Sequence, residues 1–331
     1  MVVNLKKLQG KTVFITGATG VLGYSVVKYI CERNEQFQEP VKILALVRDI
    51  DKAESIFGKI KNLKFIVGDV RYNILIDDPI DYIIHAASQT SSKAFVEEPV
   101  ETIYTAVVGA NNILRIAKEK KVKSFIYLSS MEVYGYPITD EKIDELHCTN
   151  LDTMVVRSSY PESKRMCENL CKAYCEEYGV PAKVIRLTQT FGTGVSYDDK
   201  RVFAEFARCV IEGRDIVLHT KGETKRNYLH TMDAVIAILK VLLEGENGQA
   251  YNAANEDTYC SIYEMAELVV NECANRKIEI RVEVDGENQY GFAPTLKMNL
   301  DTTKLQRLGW RPRFGLKEMF CSLIEDMEMK K

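Results

Sequence analysis

Residues 12–33 read TVFITGATGVLGYSVVKYICER, and this stretch constrains the fold more than any other. Thr12 to Thr16 is a short β-branched run of the kind that forms a strand, and Val21 to Arg33 reads as a helix. Between them stand Gly17, Gly20 and Gly23. Glycine there lets the backbone turn tightly, approach a pyrophosphate closely and pack the helix against the sheet. The helix N-terminus then offers free N–H groups and a positive dipole end to phosphates. Glycines at this spacing are weak evidence alone, but between a first strand and a first helix they point to a dinucleotide site.

The same rhythm continues. Apolar strands are expected at Val41 to Val47, Leu63 to Val70, Asp81 to Ala87, Lys123 to Ser130 and Ala182 to Thr188, with helices over Pro99 to Lys118 and Tyr160 to Tyr178. Continuous apolar strands separated by helices predict a doubly wound parallel sheet covered on both faces. From about Gln189 the pattern changes to helices near Arg201 to Glu212, Thr231 to Leu243, Ser261 to Ala274 and Leu316 to Met327, mixed with short strands. Ser261 and Glu264 form an S-x-x-E capping box. The 331 residues thus divide into a dinucleotide-binding domain over 1–188 and a smaller α+β lobe over 189–331, with a soft boundary across which segments interleave.

Composition excludes several functions. Forty-four basic against 47 acidic residues give a net charge of −3, without the basic excess that nucleic-acid binders carry. No apolar run reaches the roughly 18 residues of a membrane span. The N-terminus, MVVNLKKLQGKTVFITG, lacks a signal-peptide core, which predicts a cytoplasmic protein. Nine scattered cysteines fit reduced thiols better than a disulfide framework. Cys167, Cys171 and Cys175 recur every four residues and read as a buried stripe on one helix. His85, His147, His219 and His230 make no zinc-ligand pair, so no metal site is expected.

Candidate chemistry gathers at strand ends. The second strand is followed by Arg48 and Asp49: Asp49 suits the adenosine ribose of NAD, the expected cofactor, while Arg48, suited to a 2′-phosphate, leaves NADP open. Asp69 and Val70, after the third strand, are placed for the adenine. Two Y-x-x-x-K pairs occur. Tyr24 with Lys28 lies in the first helix and reads as an ordinary helix pair. Tyr160 with Lys164 opens the helix after the fifth strand, on one helix face, and Ser130 ends that strand, at the sheet edge where ligands bind. Removing hydride from a carbinol carbon requires a base for the hydroxyl proton. A free tyrosine, with a pKa of about 10, serves poorly unless cations favour the phenolate. Ser130 could hydrogen-bond the same oxygen.

Together GATGVLG, GDV, HAAS, YLSSMEVYG, YPESK and LGW resemble the extended short-chain dehydrogenase/reductase family, the nucleotide-sugar epimerases and dehydratases, over nearly the whole chain. The resemblance implies a Rossmann-type sheet, bound NAD or NADP, a nucleoside-diphosphate sugar substrate, transient oxidation at sugar C4 and a homodimer. In the family pattern Tyr160 is the base, Lys164 its activator and Ser130 the hydroxyl partner, and Glu132, which matches a family glutamate, is the fourth catalytic candidate. Cofactor contacts fall on Gly17, Thr19, Gly20, Val21, Leu22, Gly23, Arg48, Asp69, Val70, Ala86 and Ala87, as well as Tyr160 and Lys164. Substrate contacts fall on Ser88, Thr90, Gln189, Arg201 and Arg226, with Arg226 on the diphosphate.

HAASQTSSKAFVEEPVET and RSSYPESKR look most like UDP-glucuronate decarboxylases. Met131, however, stands where those enzymes carry a small hydroxyl residue and where 4,6-dehydratases carry an acidic proton donor. A 4-epimerase needs no acid there. The family asparagine after the fourth strand falls at Ala106, the one after the sixth strand at Gln189, and a second diphosphate arginine is replaced at best by Lys297. The dimer helices would be those from Pro99 and Tyr160, with Met166, Leu170 and Ala173 available for contact. A 4-epimerase is thus expected; the alternatives are a decarboxylase, an NADP-dependent 4-keto-sugar reductase and a dinucleotide-sensing protein without turnover.

Overall fold

Thr12–Thr16 is buried along its whole length and forms β1. Such a strand needs a neighbour on each edge and helices on both faces. The computed structural model, which describes residues 3–147, 150–284 and 295–331, supplies both. After β1 come α1 (Val21–Arg33), β2 (Lys42–Val47), α2 (Ile50–Phe57), β3 (Leu63–Val67), β4 (Tyr82–His85), α3 (Ala94–Glu97) and α4 (Pro99–Glu119). The chain continues through β5 (Ser124–Ser130), β6 (Lys142–Ile143), α5 (Ser159–Tyr178), β7 (Ala182–Leu187), β8 (Gln189–Phe191), α6 (Val202–Glu212), β9 (Ile216–Leu218) and β10 (Lys225–His230). It ends with α7 (Thr231–Glu244), β11 (Ala250–Ala253), β12 (Asn255–Ser261), α8 (Ile262–Leu268), β13 (Ile280–Val282), β14 (Lys297–Leu300), α9 (Thr303–Arg307) and α10 (Leu316–Met329).

Seven strands form the main sheet in the order β11-β7-β5-β4-β1-β2-β3. Every pairing in it is parallel. The chain runs outward from β1 to β3, then returns to β4 beside β1 and runs the other way. This is the Rossmann-type doubly wound sheet the sequence predicts, and the reversal opens a crevice at the carboxyl ends of β1 and β4. One face is covered by α1 and α7, through Val26, Val27, Ile30, Val235 and Ile238. The other is covered by α4 and α5, through Ile113, Leu114, Cys167 and Cys171.

Several expected elements change. The third strand stops at Val67, the last residue in register with β2, opposite Val47. The fourth is limited to Tyr82–His85. Ser261 and Glu264 close the capping box. The helix it opens does not run regularly to Ala274, but widens into a π turn over Val269–Cys273. Neither α2 nor β11 was expected.

The smaller lobe has a sheet in the order β12-β10-β14-β6, with β8 added to β10, and a two-stranded pair β13-β9. Phe191, Phe203, Phe206 and Phe320 fill its core. Residue 188 separates β7 from β8, yet the lobes interleave: β6 leaves the first half for the smaller sheet, while α7 and β11 return to the large one.

Candidate active site

Gly17 has φ +67°, and a Cβ there would sit 2.7 Å from the Ala87 nitrogen. A Cβ on Gly23 would lie 2.1 Å from the Gly17 carbonyl oxygen. Glycine at both positions therefore lets α1 start hard against β1 and β4. Gly20 is the N-cap, and the first helical bond runs from Tyr24 N–H to Gly20 at 2.8 Å. The N–H groups of Val21, Leu22 and Gly23 thus have no partner within the helix. They line a cavity of about 530 Å³ along the crevice, so the cradle fits a pyrophosphate.

The same cavity brings together nearly all the expected site residues: Gly17, Thr19, Gly20, Val21, Leu22, Gly23, Arg48, Asp69, Val70, Ala86 and Ala87 toward one end, and Ser88, Thr90, Ser130, Glu132, Tyr160, Lys164, Gln189 and Arg201 toward the other. Asp69 is held by Arg71 at 2.9 Å. Burial alone would raise its pKa, but the hydrogen bonds and charge of Arg71 outweigh that and lower it. Gln189 Oε1 is buried without a hydrogen-bond partner in the chain, an acceptor left for a ligand hydroxyl. Arg201 pairs with Asp199 at 2.6 Å.

Ser130 ends β5 and caps the short 3₁₀ turn Met131–Tyr134, its hydroxyl accepting from the Glu132 N–H at 3.2 Å. Tyr160, in the first turn of α5, lines the cavity with Ser130. Within the chain the phenol's pKa is not lowered, as expected, but raised: burial dominates, and the Glu132 charge adds to it. Ser130, Arg157 and Arg201 pull the other way. Lys164 Nζ donates to the Leu128 carbonyl at 2.8 Å and lies 5.7 Å from the Tyr160 ring centre. Burial pushes this ammonium's pKa down to about 8. The decoy pair behaves differently: Tyr24 packs on Phe57, Lys28 lies 5.9 Å from the Tyr24 ring, and neither lines the cavity.

Three features escape the sequence. Arg157 forms an ion pair with Glu132 at 2.9 Å, so that carboxylate is not free in the site. Phe95, on α3, stacks on the Tyr160 ring at 4.1 Å and 11°. Behind β5, Glu168 on α5 accepts from the Ser129 hydroxyl at 2.5 Å and pairs with Arg186 on β7 at 2.6 Å. Arg157 does sit inside the RSSYPESK string, where an arginine three residues before the tyrosine was a usable signal. Phe95 and Glu168 meet their partners only through tertiary folding.

Arg226 does not join the main cavity. It lines a side pocket of about 40 Å³ with Met131, Glu132, Arg157 and Met298, and its Nε is buried without a hydrogen-bond partner. β10 carries it there, across the smaller sheet. Lys297 pairs with Asp140 at 2.5 Å and lines neither pocket. Met131 is buried, its sulfur 3.2 Å from the Thr188 hydroxyl. Ala106 lies in the α4 core face, and its neighbour Thr105 reaches the cavity instead.

A model of the NAD dependent epimerase/dehydratase family matches residues 13–254. UDP-glucuronic acid decarboxylase 5 of Arabidopsis thaliana is 28% identical over 328 residues, covering 96% of this chain and 89% of that one. Human dTDP-D-glucose 4,6-dehydratase is 28% identical over 325 residues, covering 95% and 89%. Among solved structures, the UDP-N-acetylglucosamine 4-epimerase of Methanobrevibacter ruminantium M1 in complex with UDP-N-acetylmuramic acid superposes with a TM-score of 0.83 at 19% identity, covering 98% of this chain and 100% of that one. The UDP-glucose 4-epimerase of Thermotoga maritima with UDP-glucose gives 0.80 at 20% identity, covering 96% and 99%. With the glycine cradle and the Ser130–Tyr160–Lys164 cluster in one crevice, these matches place the chain: it is an enzyme of the NAD dependent epimerase/dehydratase family, with NAD(P) as its cofactor.

Proposed function

We propose that the enzyme is a nucleotide-sugar 4-epimerase of the cytoplasm, acting as a homodimer through a 4-keto intermediate. One observation carries this reading. Ser130 and Tyr160 both line the cavity, and among the described residues no free carboxylic acid lines it beside them: Met131 is apolar and Glu132 is held by Arg157. Bound NAD(P) supplies hydride acceptance and return. Tyr160 takes the proton of the sugar C4 hydroxyl and gives it back, and Ser130 holds the same oxygen. The Lys164 ammonium favours the phenolate by its charge. Substrate burial around Gln189 and Thr190 excludes water from the ketone. Elimination of a C6 hydroxyl would need a proton donor at position 131, and methionine has none.

A second reading, decarboxylation of a nucleotide-bound uronate, draws on Arg226. Its buried N–H without a partner, with Arg157 in the same side pocket, suits a sugar carboxylate. Product analysis by NMR tests both, with UDP-glucose, UDP-galactose, UDP-N-acetylglucosamine and UDP-glucuronate as substrates. Interconversion of C4 epimers is the expected result. Loss of carbon dioxide from UDP-glucuronate would replace it with the second reading, and a 4-keto-6-deoxy product would overturn both.

A further inference from the structure

We infer that Phe95 is a positioning residue for the proposed base: its ring holds the Tyr160 phenol in one orientation and keeps water off its face. The inference rests on the reading of Tyr160 as the base, and not on the choice between epimerase and decarboxylase.

Tyr160 sits in the first turn of α5, and only the short 3₁₀ turn Val156–Ser158 precedes it. With so little helix before it, the rotamer of its side chain depends on what packs onto it from other elements. Phe95 supplies that contact. The two rings lie 4.1 Å apart at 11°, close to parallel. Phe95 is itself fixed. It is 2% exposed, and its carbonyl accepts from the Ser159 hydroxyl at 2.9 Å. Ser159 is the residue before Tyr160, so α3 grips the start of α5 at two adjacent points, one by backbone and one by ring. The Arg157 guanidinium lies 5.0 Å from the Phe95 ring centre as well.

Phe95 lines the cavity with Tyr160 but has no polar side-chain atom, so its ring can neither take a proton nor accept from a sugar hydroxyl as a base would. Its influence on the reaction passes through the phenol. The ionisable groups that bear on Tyr160 come from other elements: Lys164 on α5, Tyr127 on β5, Glu132 on the 3₁₀ turn after it, Arg157 just before α5 and Arg201 at the N-cap of α6. The charged side chains of α3 and its N-cap, Glu97 and Lys93, are exposed and pair with each other at 3.6 Å. Replacing Phe95 therefore alters no charge and removes only the ring. Burial is the largest influence raising the phenol's pKa, so uncovering Tyr160 should lower it.

The test uses the full chain with its dinucleotide bound. NMR of isotope-labelled tyrosine, with the Tyr160 signal assigned by its loss in Tyr160→Phe, follows the phenol's titration without a substrate. In Phe95→Leu the phenol should titrate about one pH unit below the parent. With the nucleotide sugar that the enzyme converts, kcat should fall about tenfold or more while KM stays within about threefold, because a loosened base loses orientation and not binding. The acidic limb of kcat/KM should move to lower pH together with the titration. Phe95→Tyr keeps a flat ring in the same place and should return kcat and the limb to within about twofold of the parent. Cofactor affinity, measured by calorimetry, should be unchanged in both variants, which separates the effect from a folding defect. An unmoved Tyr160 titration in Phe95→Leu, or equal loss of kcat in Phe95→Leu and Phe95→Tyr, would overturn the inference. Near-normal turnover by Tyr160→Phe would remove the base, and this role of Phe95 with it, whatever the titration shows.

Discussion

At the scale of single residues, the proposed mechanism depends most on Tyr160. It is buried, stacked on Phe95 and lines the cavity with Ser130. Tyr160→Phe keeps the ring and its stack, so the fold should survive while turnover falls by about 10²–10⁴. Tyr24→Phe makes the same change in the other Y-x-x-x-K pair, which lies outside the cavity, and should leave rate and cofactor affinity unchanged. Steady-state kinetics on the true substrate, with calorimetry of the cofactor, decide it; near-normal turnover by Tyr160→Phe would exclude the phenol as base. The sequence made this residue readable because strand-end Ser130 and helical spacing to Lys164 are local facts. It could not give the phenol's raised pKa, since burial comes from α3 and from Phe95, far along the chain. Arg226 is the converse case: its segment was recognisable, but its position in the side pocket depends on the pairing of β10 across the smaller sheet.

Among the elements, α5 carries both Tyr160 and Lys164, and its angle sets where they point. Glu168, one turn beyond Lys164, ties the helix to β5 through Ser129 and to β7 through Arg186. Arg186 also donates to the Tyr134 hydroxyl at 2.8 Å, and Tyr134 in turn donates to Asn252 on β11 at 2.7 Å. Both partners of the ion pair are largely buried, at 14% and 12% side-chain exposure. Removing one partner of such a pair leaves the other charge uncompensated, at a cost of about 3–5 kcal/mol. Arg186→Leu should therefore lose about that much stability in urea unfolding, and a loss below about 1 kcal/mol would mean the pair is effectively solvated. The strands of the main sheet were legible because Val, Ile and Leu run through them continuously. The strand β11 was not, because Ala250–Ala253 is four residues long and carries Asn252, whose amide is held by the Ile143 and Asp301 carbonyls. Likewise α2 is only two turns, with Ala53 alone buried.

On the whole molecule, one side of the α4–α5 pair remains uncovered. Val100, Ile103, Tyr104 and Met166 are exposed there, with Val100 at 72%. Large apolar groups gathered on neighbouring helices favour association, and we propose that a second copy covers them. Light scattering should report a dimer, and Ile103→Glu with Met166→Glu should report a monomer of unchanged helical content. A monomeric parent protein would discard this interface.

The interleaving of the two lobes has a consequence for how the chain can be made. β11 pairs with β7 across an intervening stretch, residues 189–249, much of which lies in the other lobe, so it can pair only once that stretch has been made. Until then β7 presents a row of unpaired N–H and C=O groups at the border of a nearly finished sheet, the kind of border on which chains stick to one another. α7, which covers one face of that sheet, arrives equally late. During synthesis from the N-terminus, the first 188 residues thus hold the glycine cradle and Tyr160 but lack α7 on one face and the closing strand β11. Expressed alone, residues 1–188 should aggregate, while the same fragment mixed during refolding with residues 189–331 should regain solubility; a soluble, cooperatively unfolding 1–188 would show that the late strand is dispensable.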